Sequence, residues 1–123
     1  MSVGSPGALL LDVWGDQVAL ALGGPTDRCY LVGSGTERKN PRDVDVVLIL
    51  DDDRFEAEFG IARPPFSSNR RWAAMCTAFS LWGQLVTGMP IDFKIQPQTW
   101  ANEKHGGKPR HALGLYPDGV QAP

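Results

Sequence analysis

The sequence predicts a single α/β (α+β) domain spanning residues 1–123, a mixed β-sheet with helices packed against it. Three observations lead there. Gly7–Leu22 and Asn69–Thr87 repeat apolar residues every three or four positions, the pattern of helices with one buried face. Cys29–Val32, Asp43–Leu50 and Ile91–Gln96 are short apolar or alternating runs bounded by Gly, Pro, Asn and Asp, as strands are. The chain has 123 residues, 42% of them hydrophobic, which fits one domain with a core of its own.

Met1 to Pro6 reads as a disordered lead, and Asp118 to Pro123 as a disordered end. In the first helix Leu10, Val13, Trp14, Val18, Ala21 and Leu22 form the apolar stripe, Trp14 reads as core, and Gly23-Gly24-Pro25 stops the helix. Cys29–Val32 is the first strand. Asp43–Leu50 is a central strand whose continuous apolar end, Val46 to Leu50, is expected to be buried on both faces. Asp51, Asp52 and Asp53 suit a helix N-terminus better than a metal site, and a short helix over Arg54–Phe59 ends at Gly60. Ser67 or Ser68 is the expected cap of the long helix, whose stripe is Trp72, Met75, Cys76, Phe79, Trp82 and Val86. Arg70 and Arg71 stand in its first turn, against the helix dipole, a mild hint of an anionic ligand. Pro97-Gln98-Thr99 breaks the third strand, Trp100–His105 makes one or two helical turns, and Arg110–Leu115 is a last short strand or a packed tail. Lys104, His105, Lys108, Arg110 and His111 make this last region basic, a candidate contact for phosphate or acceptor.

Composition narrows the function. A net charge of −2 with 21% charged residues argues against a surface tuned to nucleic acid. Asp12 and Asp16 interrupt the first apolar segment, so no membrane span is expected, and the N-terminus lacks the basic region of a signal peptide. Cys29 and Cys76 have neither metal-site nor disulfide-framework spacing and read as reduced, buried thiols of a cytoplasmic protein.

The chemistry concentrates in Tyr30–Leu50. After Val32 come Gly33-Ser34-Gly35, where missing side chains let backbone N–H groups approach a ligand and Ser34 adds a hydroxyl. Arg38, Lys39 and Arg42 follow as charge partners for a polyphosphate, with Arg42 the weakest because it precedes Asp43 and points to the other face. Asp43 and Asp45, two residues apart on a strand, share a face. Two neighbouring carboxylates opening a buried strand need neutralising, and a divalent cation, Mg²⁺ or Mn²⁺, is the usual solution. Asp92, Lys94 and Gln96 share the polar face of the third strand, so Asp92 completes a three-carboxylate cluster if that strand lies beside Asp43–Leu50.

Val32-Gly33-Ser34, then Asp43-Val44-Asp45-Val46, then Ile91-Asp92-Phe93 together resemble the nucleotidyltransferase superfamily of the DNA polymerase β type, over roughly Tyr30 to Lys94. Eight residues separate Ser34 from Asp43, and Arg42 stands where small members often have Ser. The resemblance implies a minimal polymerase β-like core and transfer of an NMP from an NTP, with ATP the expected one, to a hydroxyl on a protein, an RNA end or a small molecule. It implies that Asp43 and Asp45 hold the triphosphate-bound metal, and that Asp92 joins them at a second metal and deprotonates the acceptor. It further implies that Gly33, Ser34 and Gly35, helped by Arg38 and Lys39, hold the phosphates, while Lys94, on the Asp92 face, either neutralises the cluster or touches phosphate. Short members often work with a partner chain or as a homodimer. Two other readings stand beside it: a catalytically silent nucleotide-binding or partner-binding module on the same fold, and an interaction domain with an acidic patch.

Overall fold

The computed structural model describes residues 6–24, 26–32, 43–107 and 109–114. The glycine stretch and its basic sequel, with Gly33, Ser34, Gly35, Arg38, Lys39 and Arg42, lie outside the described residues, as do Lys108 and the C-terminal nine residues.

The chain is α+β. Its elements run α1 (Pro6–Leu22), β1 (Cys29–Val32), β2 (Val44–Leu50), α2 (Asp52–Phe59), α3 (Arg70–Thr87), β3 (Ile91–Pro97), α4 (Gln98–His105) and β4 (Arg110–Ala112). The strands form one mixed sheet in the order β3-β2-β1-β4. β2 and β3 are parallel, as the long α2–α3 connection between them allows, and β1 is antiparallel to both β2 and β4. No described helix is long and apolar enough to cross a membrane.

The sheet divides its side chains as period two requires. Val46, Leu48 and Leu50 of β2 join Ile91, Phe93 and Ile95 of β3 in the main core, beneath Leu11, Trp14 and Val18 of α1, Phe55 and Phe59 of α2, and Trp72 and Cys76 of α3. On the other face Val47 and Ile49 meet Val32, Tyr30 and Ala101 of α4 in a smaller cluster. Val46 to Leu50 are therefore buried on both sides, as expected. Trp14 is fully buried, edge-on to Trp82 and Phe93 at 6.2 and 5.9 Å, and its indole Nε1 has no hydrogen-bond partner. Gly83 makes room for it: a Cβ there would stand 2.8 Å from the Trp14 ring.

Several boundaries correct the sequence expectation. α1 already includes Pro6, because proline's fixed φ suits a first helical turn. Asn69, not Ser67 or Ser68, caps α3: its Oδ1 accepts from Trp72 N–H at 2.9 Å while its Nδ2 donates to the Phe59 carbonyl at 2.6 Å. Ser68 is engaged elsewhere, its hydroxyl donating to the Pro65 carbonyl. The acidic triplet does cap, but at two helices. Asp51 accepts from Arg54 N–H at the start of α2, whereas Asp52 accepts from Thr99 N–H at 2.9 Å, at the start of α4. α4 needs that help because its own N-cap, Pro97, has no side-chain oxygen; β3 runs to Pro97, and the helix follows without a break.

α3 also does something that its apolar stripe hides. β3 is an edge strand, so one side of its backbone lacks a neighbouring strand. α3 runs antiparallel along that side and bonds it through side chains. Ser80 Oγ accepts from Phe93 N–H at 2.8 Å, Gln84 Nε2 donates to the Ile91 carbonyl at 3.0 Å, and Trp72 Nε1 donates to the Ile95 carbonyl at 2.8 Å. The spacing works because four helical residues rise about 6.0 Å and two strand residues about 6.6 Å. Cys76 lies in the same row beside the Ile95 backbone, and burial pushes its pKa up to about 11. Burial raises the Cys29 thiol further, with Asp16 adding to the shift, and both cysteines are free.

Candidate functional site

The parallel register of β2 and β3 sets the site. Asp45 pairs with Asp92, Val46 with Phe93 and Val47 with Lys94. Directly paired residues of neighbouring strands point to the same face, so the two carboxylates stand side by side about 4.8 Å apart at the backbone. Asp43 precedes β2 by one residue, where Val44 N–H donates to the Pro90 carbonyl at 2.9 Å and ties the two strand starts together. All three aspartates are half-buried. The sheet brings Asp45 and Asp92 together, with Asp43 at the same end.

Lys94 also lies on this face, and its Nζ bonds Asp92 Oδ1 at 2.6 Å. Both side chains keep about two-fifths of their surface exposed, 43% for Lys94 and 38% for Asp92, so the pair is water-screened and contributes little to stability. Its effect is local: one Asp92 oxygen is engaged, and the charge of the acidic pair is partly balanced.

An open cleft of about 350 Å³ reaches the same carboxylates from beyond the β3 edge. Asp43 and Asp92 line it, together with Thr77, Ser80, Leu81 and Gln84 of α3 and Pro90 and Ile91 at the start of β3. Among the described residues no cation lines it.

Towards the other end of the face, α4 closes the sheet. Ala101 packs on the Val47–Ile49 cluster, and the buried His105 ring meets Gln96 Oε1 at 3.1 Å. The basic region therefore does not act as one loop. His105 is buried, Lys104 lies over Trp100 with its Nζ 5.1 Å from the ring centre, and Arg110 and His111 belong to β4. Arg70 and Arg71 are not near the carboxylates either. α3 begins beside the far end of β3, and Arg71 pairs with Glu58 of α2 at 2.9 Å.

Two carboxylates in register suit a cation that keeps waters and takes its remaining ligands from a substrate, which is how Mg²⁺ is commonly held. They do not make an all-protein cage. Among the described residues no group of three His, Cys, Asp or Glu side chains is arranged to hold a metal.

Sequence reasoning missed two features of the frame that carries the site. The side-chain bonds from α3 to the β3 edge needed the strand order, although Cys76, Ser80 and Gln84 at intervals of four were a readable signal. Asp52 as the α4 cap had no local sign, since its partner Thr99 is distant in the chain. No family model, curated protein or solved structure matches the chain.

Proposed function

We propose that this protein is a metal-dependent nucleotidyltransferase on a polymerase β-like core, moving an NMP from an NTP to a hydroxyl acceptor. The observation that supports this reading best is the Asp45–Asp92 pairing on one half-exposed sheet face, with Asp43 at the same end. The pairing unites two separate parts of the Gly-Ser…Asp-x-Asp…Asp pattern. Asp43, Asp45 and Asp92 are the residues that would hold Mg²⁺ or Mn²⁺, which when bound would neutralise the triphosphate and acidify the attacking hydroxyl. Asp92, beside the cleft, takes the acceptor proton. The acceptor oxygen bonds to the α-phosphorus, the bond to the β-phosphate oxygen breaks, and pyrophosphate leaves. Lys94 holds Asp92 in place and tempers the charge of the pair. Gly33, Ser34 and Gly35, with Arg38 and Lys39, are the phosphate-holding residues of this reading.

The silent nucleotide- or partner-binding module stays as the second reading, because Lys94 occupies an Asp92 oxygen and no three-carboxylate group is assembled among the described residues. One experiment addresses both. The four NTPs are titrated with Mg²⁺, Mn²⁺ or EDTA against wild type, Asp45→Asn and Asp92→Asn, following thermal stability and pyrophosphate release. The enzyme reading expects metal-dependent stabilisation that both variants lose, and pyrophosphate release with a suitable acceptor. Stabilisation without metal, unchanged in both variants, identifies the silent module. No stabilisation of well-folded wild type by any nucleotide overturns the enzyme and the nucleotide-binding module and leaves the partner-binding one.

A further inference from the structure

The site face carries a second feature that the acidic pair does not explain. Leu31 of β1 pairs with Val46, so Val32, one residue on, stands beside Asp45, and Val32 itself pairs with Arg110 of β4. Residues directly opposite in antiparallel strands share a face. One transverse row across the whole sheet therefore reads Asp92, Asp45, Val32, Arg110. The next row reads Lys94, Val47, Tyr30, Ala112. Two strand spacings of about 4.8 Å put Arg110 roughly 10 Å from Asp45 at the backbone, with the buried Val32 side chain between.

The two cations that the described residues place near this end of the face have different surroundings. Lys94 is committed to Asp92 at 2.6 Å. Arg110 is half-buried and, among the described residues, forms no ion pair. Its guanidinium is a planar fork suited to phosphate oxygens. An extended polyanion anchored by a cation at the carboxylates, and reaching past the buried Val32, would meet this fork at its far end.

We propose that Arg110 binds the terminal phosphates of the nucleotide, so that the triphosphate runs across the sheet from Asp45 and Asp92 towards β4, leaving the cleft at the β3 edge for the acceptor. This rests on the nucleotide reading above. It assigns a role to one residue of the basic region and fixes the direction of the ligand.

The test uses whichever NTP stabilises wild type best, together with its di- and monophosphate, all with Mg²⁺, in calorimetric titrations of wild type, Arg110→Ala, Arg110→Lys and the distant control Arg71→Ala. Losing a charge-assisted contact to phosphate should weaken triphosphate binding about tenfold or more in Arg110→Ala. Monophosphate binding should hardly change, Arg110→Lys should recover part of the loss, and Arg71→Ala should match wild type. Triphosphate affinity unchanged in Arg110→Ala overturns the proposal while leaving the nucleotide reading intact. Equal losses for the mono- and triphosphate also overturn it, since that is the result of a merely structural role. Wild type that binds none of the three ligands overturns both readings.

Discussion

Ser80→Ala tests whether α3 secures the edge strand that carries Asp92. The hydroxyl accepts from Phe93 N–H at 2.8 Å, and Phe93 lies between Asp92 and Lys94. β3 has no strand on that side, so no backbone carbonyl can replace the lost acceptor. A buried donor left unpaired costs about 1–3 kcal/mol. The bond is part-buried and water can reach it from the adjoining cleft, so the lower half of that range, about 1–2 kcal/mol, applies here. Alanine's better helix propensity returns less than about 0.7 kcal/mol. The net expectation is a loss of about 1 kcal/mol, which is roughly 0.5 M in urea midpoint for an m-value near 2 kcal/mol/M. Urea unfolding gives the magnitude, and hydrogen exchange gives the location, since the Phe93 amide should lose protection well ahead of its neighbours. Thr77→Ala, on the exposed side of the same helix, is the control. A Ser80→Ala midpoint equal to wild type, with Phe93 protection intact, would refute the idea that this bond holds the edge.

Two further perturbations follow from the packing and the caps. Gly83→Ala should destabilise despite alanine's advantage of about 1 kcal/mol in a helix interior, because the new Cβ meets the Trp14 ring at 2.8 Å and overpacking costs about 1–3 kcal/mol; a variant that melts above wild type would contradict this. Asp52 has its pKa lowered, first by its hydrogen bond to Thr99, so its stabilisation is present above the unfolded carboxylate pKa and is lost as pH falls through the lower, folded value. The urea-midpoint gap between wild type and Asp52→Ala should therefore be widest near neutral pH and narrow below about pH 4, and a gap that stays constant down to pH 2 would show that the Thr99 bond is not charge-assisted.

Much of this fold was legible because its periods are clean. Val46 to Leu50 has no polar residue, and a strand with no polar face must be central. Ile91, Phe93 and Ile95 against Asp92, Lys94 and Gln96 gave the two faces of β3 before any partner was known. What was not legible depended on partners distant in the chain. Asn69 outcompetes Ser67 and Ser68 as a cap because its amide also reaches the Phe59 carbonyl, a contact made only once α2 is in place. Asp52 serves α4 for the same kind of reason. The row from Asp92 to Arg110 exists only once β1 and β4 pair, so nothing in the basic composition of the region could single out Arg110 from Lys104 or His105. The candidate carboxylates were legible as a set, but the bond between Lys94 and Asp92 was one of two roles open to that lysine, and only the side-chain geometry chose between them.

The edge bonds and the site are one problem in register. If β3 slipped by one residue against β2, Asp92 would turn into the core cluster beneath Trp14 and Phe79, and Phe93 would turn out to the half-exposed face. Hydrophobic patterning forbids that slip. A slip by two keeps every residue on its proper face, so patterning does not resist it, yet it would set Lys94 or Pro90 opposite Asp45 and break up the carboxylate pair. Bonds that read the β3 backbone at particular residues must supply the resistance. Ser80 and Gln84 do so from one side, at Phe93 and Ile91, and the Val44 N–H bond to the Pro90 carbonyl does so where the two strands begin. Polar side chains of α3 thus hold Asp92 level with Asp45 without touching either carboxylate. Metal-dependent nucleotide binding should therefore weaken in a Ser80→Ala/Gln84→Ala double variant even under conditions where it remains fully folded, whereas Gly83→Ala, which strains the contact of α3 with Trp14 of α1 and removes neither edge bond, should lose stability without that loss of binding.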